Sequence, residues 1–204
     1  MTRARTSVKI VGVGGQGSVF VARVLGEAAL RSDIGVVASE LHGMAQRGGV
    51  VESTVVMGRA HGPIVAPGET DLLIALEPLE ALRALPATRR GASAVIGTNP
   101  IVPATVSLGG VGYPPLDVVL EKLESWLGRV VALDLSALAE SAGEVRANGA
   151  VAIGAAAALE VMPISAEVLR DATRDLAPPR SRDVNAAAFD AGFHAARTSR
   201  EEPS

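Results

Sequence analysis

Short apolar blocks alternate with amphipathic stretches along this chain. VKIVGV (8–13) is an apolar run closed by glycines and reads as a buried strand. Ser18 to Arg31 follows, with Val21, Val24, Leu25 and Ala28 on one face of a helix. IGVVASE (34–40) reads as a second strand. Strand, glycine turn, helix and strand make a βαβ unit, which implies a parallel sheet and a right-handed crossover.

The pattern continues in the same way. LHGMAQRGG (41–49) is irregular and polar, and GVVESTVVMG (49–58) is β-branched and predicts a strand. HGPIVAPGE (61–69) is a loop or edge strand. TDLLIALEP (70–78) is a core strand that runs into a helix over 78–86, and ASAVIGT (92–98) is another strand. The Pro- and Gly-rich stretch 99–116 is a long excursion. DVVLEKLESWLG (117–128) predicts a helix that buries Val118, Leu120, Leu123 and Leu127, and RVVALDLS (129–136) a strand. From Ala137 the chain is helical: a short LAESAG piece, a buried NGAVAIGAAAALEV helix, then SAEVLRDATRDL with Ser165 as N-cap. APPRSRD (177–183) breaks it, and 185–197 forms a last helix with Phe189 and Phe193 on one face. The expected fold is α/β: a three-layer α/β/α domain with a mostly parallel, Rossmann-like sheet and additional C-terminal helices. It spans 1–197, with 198–204 as a disordered tail.

Composition narrows the function classes. Aromatic residues are 2% of the 204, and the net charge is -3, so neither stacking platforms nor a basic field exists for nucleic acid. The absence of cysteine removes disulfides, a thiol nucleophile and the usual ligands of an iron–sulfur cluster. The N-terminus is basic and then apolar, but Lys9 interrupts the run, so a core strand is expected rather than a signal peptide. The apolar stretch 149–164 is too short and alanine-rich for a membrane span, and a cytoplasmic location is expected.

The chemistry concentrates in two segments. IVGVGGQGSVF (10–20) carries Gly12, Gly14 and Gly17 at dinucleotide-fingerprint spacing, with Gly15 and Gln16 inside the turn. The glycines would open a tight turn and a helix N-terminus to a phosphate, and Glu40 would take the ribose hydroxyl. That formally satisfies a nicotinamide dinucleotide, although any strand-to-helix turn of this kind uses glycine. The second segment sets His42, Gln46 and Arg47 among Gly43, Gly48 and Gly49, at the carboxyl edge of the sheet. Arg47 could clamp a phosphate or carboxylate.

GVGGQG (12–17) followed by SELHGMAQRGGVVESTVVMG (39–58) resembles the gamma module of 2-oxoacid:ferredoxin oxidoreductases, and within it the beta subunit of the indolepyruvate type. DLLIALEPLEALR (71–83), Tyr113-Pro114, LAESAGEVRANGAVAIGA (138–155) and NAAAFDAGF (185–193) extend the likeness over nearly the whole chain. Two positions depart from the pattern: Val56 stands where the family often has Arg, and Arg180 where it often has Lys.

The resemblance implies an accessory subunit of a heteromeric complex that converts arylpyruvates to acyl-CoA and CO2 while reducing ferredoxin. Thiamine diphosphate, Mg2+ and [4Fe-4S] clusters would reside in a larger catalytic subunit, and this chain alone would be inactive. Gly12, Gly14, Gly15, Gln16 and Gly17 would form one edge with Glu40, His42, Gln46, Arg47, Gly48 and Gly49. That edge would face the partner and the diphosphate of coenzyme A. A free-standing NAD(P)-binding oxidoreductase and a non-catalytic scaffold are the competing readings.

Overall fold

The computed structural model describes residues 5–42, 49–59, 62–101 and 112–199, with His42 through its backbone alone. The strands are β1 (Arg5–Val13), β2 (Val36–His42), β3 (Val50–Gly58), β4 (Thr70–Ala75), β5 (Thr88–Gly97) and β6 (Arg129–Leu133). The helices are α1 (Ser18–Arg31), α2 (Pro78–Ala84), α3 (Leu116–Glu124), α4 (Leu135–Ser141), α5 (Asn148–Ala157), α6 (Ala166–Leu176) and α7 (Arg182–Thr198). All six strands form one sheet in the order β2-β3-β1-β4-β5-β6.

The expected three-layer α/β fold is present. β1, β4, β5 and β6 pair in parallel, while β3 pairs antiparallel with both β1 and β2. β2 therefore runs in the same direction as β1 but is not its neighbour. The simple βαβ unit is corrected: β3 is inserted between its two strands. Burial explains the order. Val55, Val56 and Met57 of β3 are fully buried and need cover on both faces. β2 exposes Ala38, Glu40 and Leu41, and such a strand suits an edge.

Both faces of the sheet carry helices. Leu72 and Ile74 of β4 join the cluster under α1 and α5, whereas Leu73 and Ala75 join the one under α2 and α3. That is the two-residue alternation of a strand with both faces buried. Several boundaries differ from the periodicity. The strand expected to end at Ser136 stops at Leu133, because the Asp134 carboxylate accepts from Ala137 N at 2.8 Å and caps α4. In α3, Val119 and Leu123 are buried and Val118 is half exposed, since Val119, Leu123 and Leu127 follow the helical repeat toward the sheet. Ser165 caps α6 as expected, its hydroxyl accepting from Val168 N. Phe189 and Phe193 stack with ring centroids 6.3 Å apart. No helix among the described residues is long and apolar enough to cross a membrane.

α5 is built from alanine, glycine, valine and isoleucine because neighbours surround it, and Gly149 to Ala157 are all buried. Its crossing with α7 is very close. A Cβ on Gly154 would lie 2.0 Å from Phe189 O, and one on Gly192 would lie 2.0 Å from Val151 O. Neither clash can be relieved by a side-chain rotation, since backbone meets backbone. Gly192→Ala should therefore lower stability by about 1–3 kcal/mol or more, seen as a fall in Tm. Gly26→Ala in α1 meets nothing within 4 Å and should instead raise stability by about 0.5–1 kcal/mol. A Tm unchanged by Gly192→Ala would refute the tight crossing.

Candidate functional site

The glycine loop joins β1 to α1 at the carboxyl end of the sheet. Gln16 N donates to Val13 O at 3.1 Å and closes the turn. The Gln16 side chain then folds inward: Oε1 accepts from Val13 N at 2.7 Å, and Nε2 donates to Leu76 O at 2.8 Å. Leu76 N donates in turn to Val11 O at 2.8 Å. One amide thus clasps the ends of β1 and β4 together. Gly12 leaves room for it, because a Cβ there would come within 2.9 Å of both Gln16 Oε1 and Ser18 Oγ.

The outer side of the loop is open. Gly14 and Gly15 are exposed. Gly17 holds a left-handed backbone with φ 96°, and α1 starts from it without a side-chain cap. The first-turn N–H groups of α1 therefore have no side-chain acceptor. Beneath them the Ser18 hydroxyl is buried and unpartnered. Gly14 N donates to Gly49 O at 2.9 Å, so the loop is tied to the residue that opens β3.

The structure thus gathers Gly12, Gly14, Gly15, Gln16, Gly17 and Gly49. Glu40 and His42 sit on edge strand β2, paired with Ser53 and Val51, and Glu40 is exposed. With β3 between them, β2 lies about 10 Å from β1, two strand spacings. Gln46, Arg47 and Gly48 lie outside the described residues. The dinucleotide reading fares badly on this geometry. It needs an acidic residue on the strand beside β1, and β3 occupies that place. Val56 is fully buried opposite Ser7, well away from the loop.

Glu77-Pro78 and Tyr113-Pro114 form one latch across 36 residues, which no local signal in the sequence announces. Glu77 is 1% exposed. Its carboxylate caps α2 by accepting from Glu80 N at 3.0 Å, accepts from Ile101 N at 3.2 Å, and accepts from the Tyr113 hydroxyl. Tyr113 Oη accepts from Leu79 N at 3.2 Å. Glu77 therefore holds both flanks of the excursion expected over 99–116. Burial raises the Tyr113 hydroxyl's pKa, and its bond to Glu77 raises it further.

No group of three or more His, Cys, Asp or Glu among the described residues is arranged to hold a metal ion. Residues 7–195 match the family model described as pyruvate ferredoxin/flavodoxin oxidoreductase. Indolepyruvate oxidoreductase subunit IorB of Methanothermobacter thermautotrophicus is 42% identical over 193 residues, covering 95% of this chain and 98% of that one. The Archaeoglobus fulgidus subunit of the same name is 36% identical over 196 residues, covering 96% and 98%. Among solved structures, the gamma subunit of a keto/oxoacid ferredoxin oxidoreductase from Geobacter sulfurreducens shares the fold with TM-score 0.69 and 23% identity, covering 95% and 99%. A 2-oxoglutarate:ferredoxin oxidoreductase from Magnetococcus marinus, solved with 2-oxoglutarate, coenzyme A and succinyl-CoA bound, aligns with TM-score 0.70 and 18% identity. The alignment takes in 96% of this chain and 32% of that one.

Tyr113 is the chain's single tyrosine, so its ionisation can be read directly from tyrosinate absorbance. It should titrate above the ordinary value of about 10, and lower in Glu77→Gln than in the parent. Its folded pKa is raised, so the stability it contributes is complete below about pH 10 and is lost as pH rises through the folded value. Ordinary titration in the native chain would refute the latch. Gln16→Ala removes the clasp and should cost about 1–3 kcal/mol in chemical denaturation, since Val13 N and Leu76 O lose their partner.

Proposed function

Because the chain belongs to the pyruvate ferredoxin/flavodoxin oxidoreductase family, we propose that it is the smaller, gamma-type subunit of an indolepyruvate ferredoxin oxidoreductase. The reaction takes an arylpyruvate, coenzyme A and two oxidised ferredoxins to an arylacetyl-CoA, CO2, a proton and two reduced ferredoxins. Relatives covering almost the whole chain and carrying the name indolepyruvate oxidoreductase support this reading.

The residues here do not fit the redox cofactors. Without cysteine the chain offers no thiolate to a cluster. Thiamine diphosphate supplies the electron sink for decarboxylation, and it and the clusters belong to a larger partner subunit. This chain contributes a rigid edge. The Gly14–Gly49 bond is the observation that carries the proposal, because it joins the glycine loop to the end of HGMAQRGG. Gly14 and Gly15 leave the backbone bare there, and the uncapped start of α1 favours an anion.

Coenzyme A fits such an edge. Its diphosphate would lie on Gly14, Gly15 and Gly17 at the α1 N-terminus, with Arg47 supplying positive charge. His42, Gln46, Gly48 and Glu40 would complete the surface toward ligand and partner. Gln16 acts from below: its amide is spent on Val13 and Leu76, and it sets the shape of the loop rather than reaching outward.

Co-expression with a thiamine- and cluster-bearing subunit should yield a stable complex that reduces ferredoxin with arylpyruvate and coenzyme A. The chain alone should show no turnover, and NADH should not bind it in a fluorescence titration. Arg47→Ala should raise the KM for coenzyme A about tenfold or more, or weaken subunit association. If both stay unchanged, the role given to Arg47 fails. Saturable NADH binding would favour the free-standing reductase instead.

A further inference from the structure

β2 is an edge strand without the usual protection. Among the described residues it pairs only with β3, and no strand lies on its outer side. Natural edges are commonly blunted by lysine, proline or a bulge. VVASELH has neither residue, and its register against β3 runs without a shift from Val36 to His42. The opposite edge of the sheet, β6, has no exposed residue. β2 exposes Ala38, Glu40 and Leu41, the last of them by 67%.

The strand register tells which backbone groups are free. Gly58 N donates to Gly35 O at 2.8 Å, which makes Gly35 and Gly58 a hydrogen-bonded pair of the antiparallel ladder. Such pairs recur at every second residue, so Val37, Ser39 and Leu41 spend their N–H and C=O groups on β3. Val36, Ala38, Glu40 and His42 turn theirs outward. A row of outward groups is a template for another strand. Side chains alternate across the pleat. Val37, Ser39 and Leu41 share the face of Val11, which belongs to the cluster under α2 and α3, and Ala38 and Glu40 lie on the other face.

The edge matches itself when it is reversed about Ser39. Paired antiparallel with a copy of itself on that centre, β2 sets Val37 against Leu41 and Ala38 against Glu40, and the whole strand is used. Every outward N–H and C=O then meets an outward group of the copy. Val37 and Leu41 form a non-hydrogen-bonded pair, where side chains approach most closely, and the exposed Leu41 gains cover. Moving the centre to Ala38 shortens the pairing. Moving it to Glu40 also sets two carboxylates directly opposite each other, which is destabilising.

We propose that β2 pairs with β2 of a second copy of this chain, across a twofold axis at Ser39, so that two sheets become one. The contact belongs to the chain by itself and goes beyond the subunit reading: neither requires the other, and each can fail alone.

A strand of 7 residues makes a small interface, so the dimer should be reversible and half-dissociated at a concentration on the order of micromolar. Sedimentation velocity of the full chain over a concentration series should show monomer and dimer in exchange. Ala38→Pro removes an outward donor and no bond to β3, and proline is tolerated at such a position. It should weaken the dimer at least about tenfold while the circular dichroism spectrum is kept. Ser39→Cys gives the cysteine-free chain one thiol. Across the axis its two Cα atoms would lie about 4.5 Å apart, within disulfide reach, whereas those of Glu40→Cys would lie diagonally at about 7 Å or more. Under mild oxidation Ser39→Cys should therefore cross-link several-fold faster, although Glu40 is the more exposed side chain. Glu40→Gln should tighten the dimer about two- to threefold by removing the diagonal repulsion. The proposal is overturned if the chain stays monomeric at roughly millimolar concentration. It is equally overturned if Ala38→Pro leaves the dimer intact, or if Glu40→Cys cross-links the faster. A monomeric chain whose β2 amides gain protection from hydrogen exchange only on adding the larger subunit would assign the edge to that subunit instead.

Discussion

The Gln16 amide organises the working end of this fold. It takes the last free donor of β1, Val13 N, and gives its own donor to Leu76 O beyond β4. Two parallel strands are thereby fixed where a parallel sheet has no ladder partner left to offer. The loop can then turn sharply into α1, and Gly12 supplies the space that the clasp fills. Everything on the outer side follows from that inner bond. Gly14 and Gly15 are pushed out, Gly17 starts the helix in a left-handed conformation, and Gly49 is held against Gly14. A dinucleotide fingerprint leaves this turn empty for a pyrophosphate to approach. Here a side chain occupies its inner half.

The second constraint is the smallness of the core on the α5 face. With few aromatic side chains, helices approach until backbone meets backbone, as Gly154 and Gly192 show. Close approach brings the starts of α1, α5 and α7 to one place. A cavity of about 450 Å3 lined by Gly17, Gly149 and Ser181 remains where they meet. Across the sheet, α2 follows a different rule. Its N-terminus is satisfied by Glu77, whose remaining capacity goes to Ile101 and Tyr113. A buried carboxylate is tolerated because several donors compensate its desolvation.

Much of this was legible because local signals are strong. The heptad-like spacing of Val21, Val24, Leu25 and Ala28 marked α1 from Ser18 to Arg31, and Ser165 announced α6. The glycine loop was visible as a site because its glycines cannot all be explained by packing. The role of Gln16 was not visible, since nothing in sequence tells an inward amide from an outward one. Val118 is half exposed rather than buried, because a helix phase cannot be fixed to one residue from a short amphipathic run. Glu77 and Tyr113 are 36 residues apart, so no local pattern joins them.

The sequence by itself determined the alternation of strands and helices, the two-faced burial of the sheet, the glycine turn and the lack of thiol chemistry. These depend on side-chain period, on backbone freedom and on residue type, all of which are local. Tertiary structure alone decided that β3 lies between β1 and β2. Strand order is set by which strand most needs cover on both faces, and that comparison involves the whole sheet. The same insertion moved Glu40 to an outer edge and brought Gly49 to the loop. It turned a familiar glycine spacing into a different surface.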